Sequence, residues 1–208
     1  SALLAEPEYI KEMLSKIQKE FRNEIDLSIK IRIGYKEFSD PLYYVRLAEE
    51  LGLKQICIHG RTQEQGYQGE ADWKIIKKIK ENFKNVKIIG NGDLFNIEDI
   101  KQKTKDTDID GIMLARGIFG NPWLIKQAKD YFNEEKKQTE EISDYEKKNL
   151  IIKHINYYII DKGEKRAFLD MKKHIFWYLS GFHNINEIKK DINSFKNINE
   201  ILRYIQKI

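Results

Sequence analysis

The chain is poor in residues that staple, break or anchor a polypeptide. Its single cysteine, Cys57, excludes an internal disulfide and a cysteine-built metal centre. Prolines number three, and two of them, Pro7 and Pro41, fall where predicted helices begin and a missing N–H costs little. No apolar run approaches the roughly 18 residues of a membrane-spanning helix, and the first residues lack the basic region of a signal peptide. A cytoplasmic protein without membrane or metal is the expectation. No Gly-x-Gly-x-x-Gly opens a helix, which counts against a dinucleotide-binding sheet. Neither sign of charge dominates: 37 basic and 33 acidic residues leave +4, which permits a polyanionic partner where cations cluster but does not demand one.

What is present suits one ordinary domain, or a smaller one with an appendage. Of the 208 residues, 41% are hydrophobic, enough for a core, and 34% are charged, enough for a solvated surface. Residues 7–23 read as an amphipathic helix with Ile10, Met13, Leu14, Ile17 and Phe21 on one face. Four strands follow, over residues 28–34, 55–60, 86–90 and 111–114, each trailed by a helical pattern. Ser39 or Asp40 caps the helix that starts at Pro41, and Asp72 caps the helix over residues 73–83. Strand and helix alternating four times predict parallel βα units. Beyond residue 143, three helices are expected, over residues 144–160, 166–181 and 185–208, forming a small bundle.

The most informative stretch is Ile88-Ile89-Gly90-Asn91-Gly92-Asp93. A buried strand that meets a ligand ends this way: apolar until the sheet stops, then glycine where backbone N–H groups must come close. Residues 28–34, 55–62 and 111–117 share the design. In residues 28–34, Ile29, Ile31 and Ile33 face one way, and Ser28, Lys30 and Arg32 the other. Alternation alone fits a half-exposed strand with solvated charges. However, Lys30, His59, Asn91 and Arg116 all fall toward the C-terminal ends of predicted strands, the face where parallel barrels place their chemistry. A whole barrel needs eight strands and about 250 residues. The fold expected is therefore α/β, the second half of a (β/α)8 TIM barrel followed by a small all-α helical bundle. Residues 1–132 form the half-barrel, 133–143 a charged linker and 144–208 the helical domain.

Several of these strings together resemble one family. Ile58-His59-Gly60-Arg61-Thr62, Tyr67-Gln68-Gly69-Glu70-Ala71-Asp72-Trp73, Gly90-Asn91-Gly92-Asp93 and the run from Arg116 to Trp123 are similar, in order and spacing, to tRNA-dihydrouridine synthases. Lys30-Ile31-Arg32 fits the pattern upstream, and Lys173-His174 with Trp177-Tyr178 and Gly181 fits it in the tail. The resemblance implies an FMN enzyme that reduces uridine in tRNA to 5,6-dihydrouridine with NADPH, built as a flavin-binding barrel followed by a tRNA-binding helical domain. It further implies that Lys30 approaches the flavin N1/O2 edge, where a cation stabilises the charge that builds on reduction. His59 would meet the flavin or the base. Asn91, Gly92 and Asp93 would hold the phosphate side, with Asp93 orienting the loop. Ala115 and Arg116 match a family Gly-Arg pair, Arg116 meeting the phosphate; Ala115 is the departure.

On the substrate side, Arg32 and Arg61 are candidates, Arg32 reaching the uracil or a phosphate. Tyr67 either stacks on a base or fills its loop. Trp73, Trp123 and Trp177 read as core. In the tail, Lys173 and His174, with Lys162, Lys165, Arg166 and Lys172 nearby, suit contact with the tRNA backbone. The family's acid cysteine lies upstream of a segment resembling Ser1-Ala2-Leu3-Leu4, so it is expected before Ser1; Cys57 reads as packing. The chain is accordingly expected to be an incomplete fragment, inactive alone, of a protein that is monomeric at full length. The alternatives are a non-catalytic tRNA-binding module and an FMN barrel oxidoreductase of the dihydroorotate dehydrogenase type.

Overall fold

Isoleucine-rich runs form four parallel strands, β1 (Ser28–Gly34), β2 (Gln55–Thr62), β3 (Lys87–Asn91) and β4 (Gly111–Met113). They lie side by side in chain order, β1-β2-β3-β4. The computed structural model describes residues 2–21, 24–35, 40–134 and 142–208, and the chain divides into two compact units, Ser1–Gly117 and Ile118–Ile208. In the first unit, α1 (Pro7–Glu20) precedes the sheet, and α2 (Pro41–Glu50), α3 (Trp73–Asn82) and α4 (Ile97–Thr107) follow β1, β2 and β3. A parallel connection needs a crossover, and each helix provides one. This is an α/β arrangement consistent with part of a TIM barrel.

The starts of α2, α3 and α4 are chemically specified. Asp40 accepts the N–H of Leu42 at 3.0 Å, and Asp72 accepts from Lys74 and Ile75; Ser39 lies outside the described residues. Asn96 and Asp99 form a reciprocal capping box at α4.

Register gives the sheet two chemically different faces. Ile29, Ile56 and Ile88 share one row, and Ile31, Ile58, Gly90 and Ile112 the next. Ile56, Ile58 and Ile88 are fully buried on this face, as are Val45, Ile76 and Ile100 from the helices. The opposite face carries Lys30, Cys57, Ile89 and Gly111 in one row and Arg32, His59, Asn91 and Met113 in the next. Lys30 and Met113 are exposed there.

Three expectations change. Lys30 and His59 are mid-strand: β1 has its expected bounds, which place Lys30 well before Gly34, and β2 runs past the expected Gly60 to Thr62. Residues 185–208 form two helices, α8 (Ile185–Ser194) and α9 (Ile198–Lys207), because Asn197 accepts the N–H of Glu200 and restarts the chain. The boundary between units falls at 117/118 rather than 132. Thus α5 (Trp123–Phe132) groups with α6 (Asp144–Lys162) and α7 (Glu164–Tyr178) as well as α8 and α9. Gly120 lies against the backbone of Trp177 and Tyr178, so closely that an added Cβ would sit 2.3 Å from the Trp177 carbonyl carbon. Of the expected linker 133–143, residues 135–141 lie outside the described residues, and Ser143 caps α6 with Glu146 as its reciprocal partner. The second unit has its own core, including Ile151, Ile155, Met171, Ile175, Ile192, Ile201 and Ile205.

Candidate functional site

Where the strands end, the polar face of the sheet opens into a cleft of about 220 Å³. Lys30, Arg32, His59 and Asn91 line it from the strands; Tyr67, Gly92–Phe95 and Ala115–Gly117 line it from the following loops. Lys30, set one row deeper, reaches it on a four-carbon stem. Of the charged side chains at this lining, three are cations, and Asp93 is the one carboxylate. Asp93 is also claimed from beneath by Arg61 at 2.5 Å. Such an excess of positive charge in a concave site favours an anionic ligand.

The turn after β3 is held from behind. Asp93 has a left-handed backbone, φ 50°, and its carboxylate accepts from the Ala71 N–H at 2.7 Å, Arg61 at 2.5 Å and Arg116 at 2.9 Å. Burial pushes this carboxyl up, but the Ala71 N–H and the two guanidinium groups outweigh it and hold it below the ordinary carboxylate range. Gly92 is glycine for two reasons: its φ is +126°, and a Cβ would lie 2.6 Å from the Cβ of Ala71. Trp73 packs against Gly90 and donates its indole N–H to the Gly92 carbonyl at 3.0 Å. The core expectation for Trp73 holds, and the brace on the turn is a role its sequence context did not disclose. Trp123 is half-buried, whereas Trp177 is 37% exposed and stacks on Phe119, so Trp177 is not core. Gly117 passes so close to β3's loop that a Cβ would stand 1.9 Å from the Leu94 carbonyl oxygen.

His59 is 7% exposed, and among the described residues its imidazole has no hydrogen-bond partner. Burial, then the charges of Lys30, Arg32 and Arg61, lower its pKa to about 4. At neutral pH it is therefore an uncharged ring facing the cleft, able to donate from one nitrogen and accept at the other. Asn91 donates its side-chain N–H to the Met113 carbonyl at 2.6 Å, tying β3 to β4 at the cleft floor. Cys57 lies one row below His59, buried, its Sγ 3.5 Å from Met113 Sδ, and burial pushes its thiol pKa up. A raised pKa with a sulfur neighbour describes a packing thiol.

Arg61, a substrate candidate from sequence, is 1% exposed. Its guanidinium donates to the carbonyls of Gln68 and Gly69 and to Asp93. It fastens the loop after β2 and does not line the cleft. Arg32 does line it, while donating to the carbonyls of Thr62 and Gly66. Tyr67, 62% exposed, does not fill its loop: its ring covers the Arg116 guanidinium at 4.2 Å. Ala115 is exposed at the cleft with an ordinary φ, so its methyl group meets no backbone strain. Phe95 and Met113 are lining residues that no motif in the sequence marked.

In the second unit, Lys173 is exposed and His174 half-buried. His174 meets His154 and Trp177 edge-on, at 5.3 and 5.0 Å between ring centroids, and burial lowers the pKa of both histidines. Arg166 is paired with Asp170 at 2.5 Å, and Lys172 lies over Phe168. The basic stretch read from sequence is thus partly committed within the unit.

Comparison with known proteins gives this geometry a context. The profile of the family described as dihydrouridine synthase (Dus) matches residues 1–207. A tRNA-dihydrouridine synthase B of Pasteurella multocida (strain Pm70) is 36% identical over 186 residues, covering 87% of this chain and 54% of the relative. A probable tRNA-dihydrouridine synthase of Rickettsia bellii (strain RML369-C) is 32% identical over 172 residues, covering 82% of this chain and 52% of the relative. Another, of Mycobacterium tuberculosis (strain CDC 1551 / Oshkosh), is 30% identical over 183 residues, covering 86% and 46%. The chain spans about half the length of the curated relatives it matches.

Proposed function

Because the chain belongs to the dihydrouridine synthase family, we propose that its cleft is part of a flavin site used to reduce uridine in tRNA. The carrying observation is that Lys30, Arg32, His59, Arg116 and the turn at Asn91–Asp93, far apart in sequence, line one cationic cleft. The residues suit FMN on physical grounds: an excess of cations for a phosphate, and in the same cleft a buried neutral imidazole that has no hydrogen-bond partner among the described residues. When bound, FMN supplies hydride equivalents drawn from NADPH for the uracil ring.

The chain's own residues take four roles in this reading. Arg116 binds phosphate, with Asp93 fixing the plane of its guanidinium. Lys30 offers a fixed positive charge where the reduced ring accumulates negative charge. His59, neutral, orients flavin or base by hydrogen bonding. Arg32 faces the open side, toward uracil or an RNA phosphate. Cys57 is not the acid that protonates the base, because its thiol is buried against Met113 and its pKa is raised.

The helical unit, with Lys173 and His174, is proposed as the tRNA-contacting domain, and the cytoplasm as the site of action. Among the described residues no helix is long and apolar enough to cross a membrane, and no group of His, Cys, Asp or Glu could hold a metal ion.

Flavin titration of the full chain tests the reading. Saturable FMN uptake is expected, weakened at least about tenfold in Arg116→Ala, in line with losing a charge-assisted contact. Salt-dependent tRNA binding with no flavin uptake would instead favour a non-catalytic RNA-binding module.

A further inference from the structure

The loop after β2 presents one aromatic ring to two cations of the cleft. Tyr67 lies 4.2 Å from the Arg116 guanidinium and 5.9 Å from that of Arg32, measured to the ring centroid. Phe95 approaches Arg116 at 5.4 Å. A guanidinium carries all its N–H donors in its own plane. Aromatic rings packed against the guanidinium carbon restrict its motion without consuming those donors. Asp93 takes one Nη2 donor at 2.9 Å, so the remaining donors are held in a fixed direction.

The loop does not need this side chain in order to keep its shape. Arg61 holds the carbonyls of Gln68 and Gly69. Gln65 holds those of Gln68 and Glu70 at 2.8 and 2.9 Å, and Arg32 holds that of Gly66. These tethers flank Tyr67 on both sides and act on the backbone alone. A ring that is 62% exposed yet fixed over a cation by its own backbone is not packing filler.

We propose that Tyr67 is a positioning residue for a phosphate monoester: it acts through Arg116 and sets how strongly the cleft prefers a phosphorylated flavin to the same flavin without its phosphate. This rests on the flavin reading above and deepens it. The ring need not touch the ligand. Its contribution is the order it imposes on Arg116, so it is felt only by ligands whose phosphate Arg116 binds.

The test compares FMN with riboflavin, which lacks the phosphate, by fluorescence titration of the full chain. Tyr67→Phe keeps the π face and is expected to bind both ligands like the parent. Tyr67→Leu is expected to lose about three- to tenfold in FMN affinity, the range of a cation–π contact, with riboflavin affinity unchanged. In an Arg116→Ala background the Tyr67→Leu effect should vanish, since the two residues act as one unit. Equal losses for FMN and riboflavin, or a Tyr67→Leu effect that persists without Arg116, would overturn the proposal. So would an unchanged FMN preference accompanied by weaker RNA binding, which would make Tyr67 a stacking platform for a base. If the parent chain takes up neither flavin, the flavin reading fails. Titration with inorganic phosphate then decides the role of Tyr67, which stands if Tyr67→Leu weakens phosphate binding and falls if it does not.

Discussion

At the scale of single residues, the mouth of the sheet concentrates groups whose ionisation is coupled to folding. His59 titrates at about 4 in the fold against 6.5 ordinarily. Between those values the unfolded chain binds more protons than the folded one, so stability rises with pH across that window and is lost as pH falls through it. Asp93 acts in the same direction. Its folded pKa is depressed, so its contribution is complete above the unfolded carboxyl value and lost as pH falls through the folded one. Urea midpoints of the chain should therefore drop from pH 7 to pH 4.5, and His59→Gln should flatten the part of that curve between 6.5 and 4. An unaltered slope in the variant would mean that His59 is not the group responsible. Gly92→Ala is a second expectation at this scale. With φ at +126° and Ala71 Cβ 2.6 Å from the new methyl group, it should cost about 1–3 kcal/mol by equilibrium denaturation and impair flavin uptake. Sequence marked His59, Gly92 and Asp93 as site residues, with Asp93 orienting its loop. It did not mark what Asp93 holds, because the Ala71 N–H, Arg61 and Arg116 reach it from three separate segments.

At the scale of elements, caps decide more than periodicity does. The apolar pattern of residues 185–208 is continuous enough to read as one helix, and its interruption depends on three hydrogen bonds. Asn197 accepts from the Glu200 N–H at 3.0 Å, while Glu200 accepts from the Lys196 N–H and the Asn197 side chain. The Asn-x-x-Glu spacing was legible as a helix start; the isoleucines on either side of it masked the signal. Asn197→Ala should destabilise the chain by about 1 kcal/mol, the usual worth of an N-cap, and Asn197→Ser should recover most of it. A neutral Asn197→Ala would show that packing of Ile198, Ile201 and Ile205 in the core holds α9 without the cap. The strands behaved differently: β1 keeps the bounds expected of it, while β2 extends past the expected Gly60 to Thr62. Pairing with a neighbour, Arg32 with His59 and Gly34 with Thr62, continues a strand where local composition alone would stop it.

At the scale of the whole molecule, the sheet has two edges, β1 and β4. A largely apolar groove of about 340 Å³ lies beside β1, lined by Leu3, Leu4, Ile10, Met13, Leu14 and Ile29 among others. Open strand edges beside apolar surface favour association. The chain by itself should sediment as a concentration-dependent mixture of monomer and larger species; a monomer across the whole range would show that these edges are protected. Sequence alone determined the alternation of strands and helices in the first unit, the polar face of the first strand, and that Lys30, Arg32, His59, Asn91 and Arg116, all of which line the cleft, belong to one site. Those follow from local alternation, glycine placement and capping chemistry, which act over a few residues. Tertiary structure alone decided that Arg61 faces inward to brace a loop, that Trp73 buttresses Gly92, and that Tyr67 covers Arg116. Each of those depends on segments separated in sequence arriving at one point, and only the packed sheet fixes that distance.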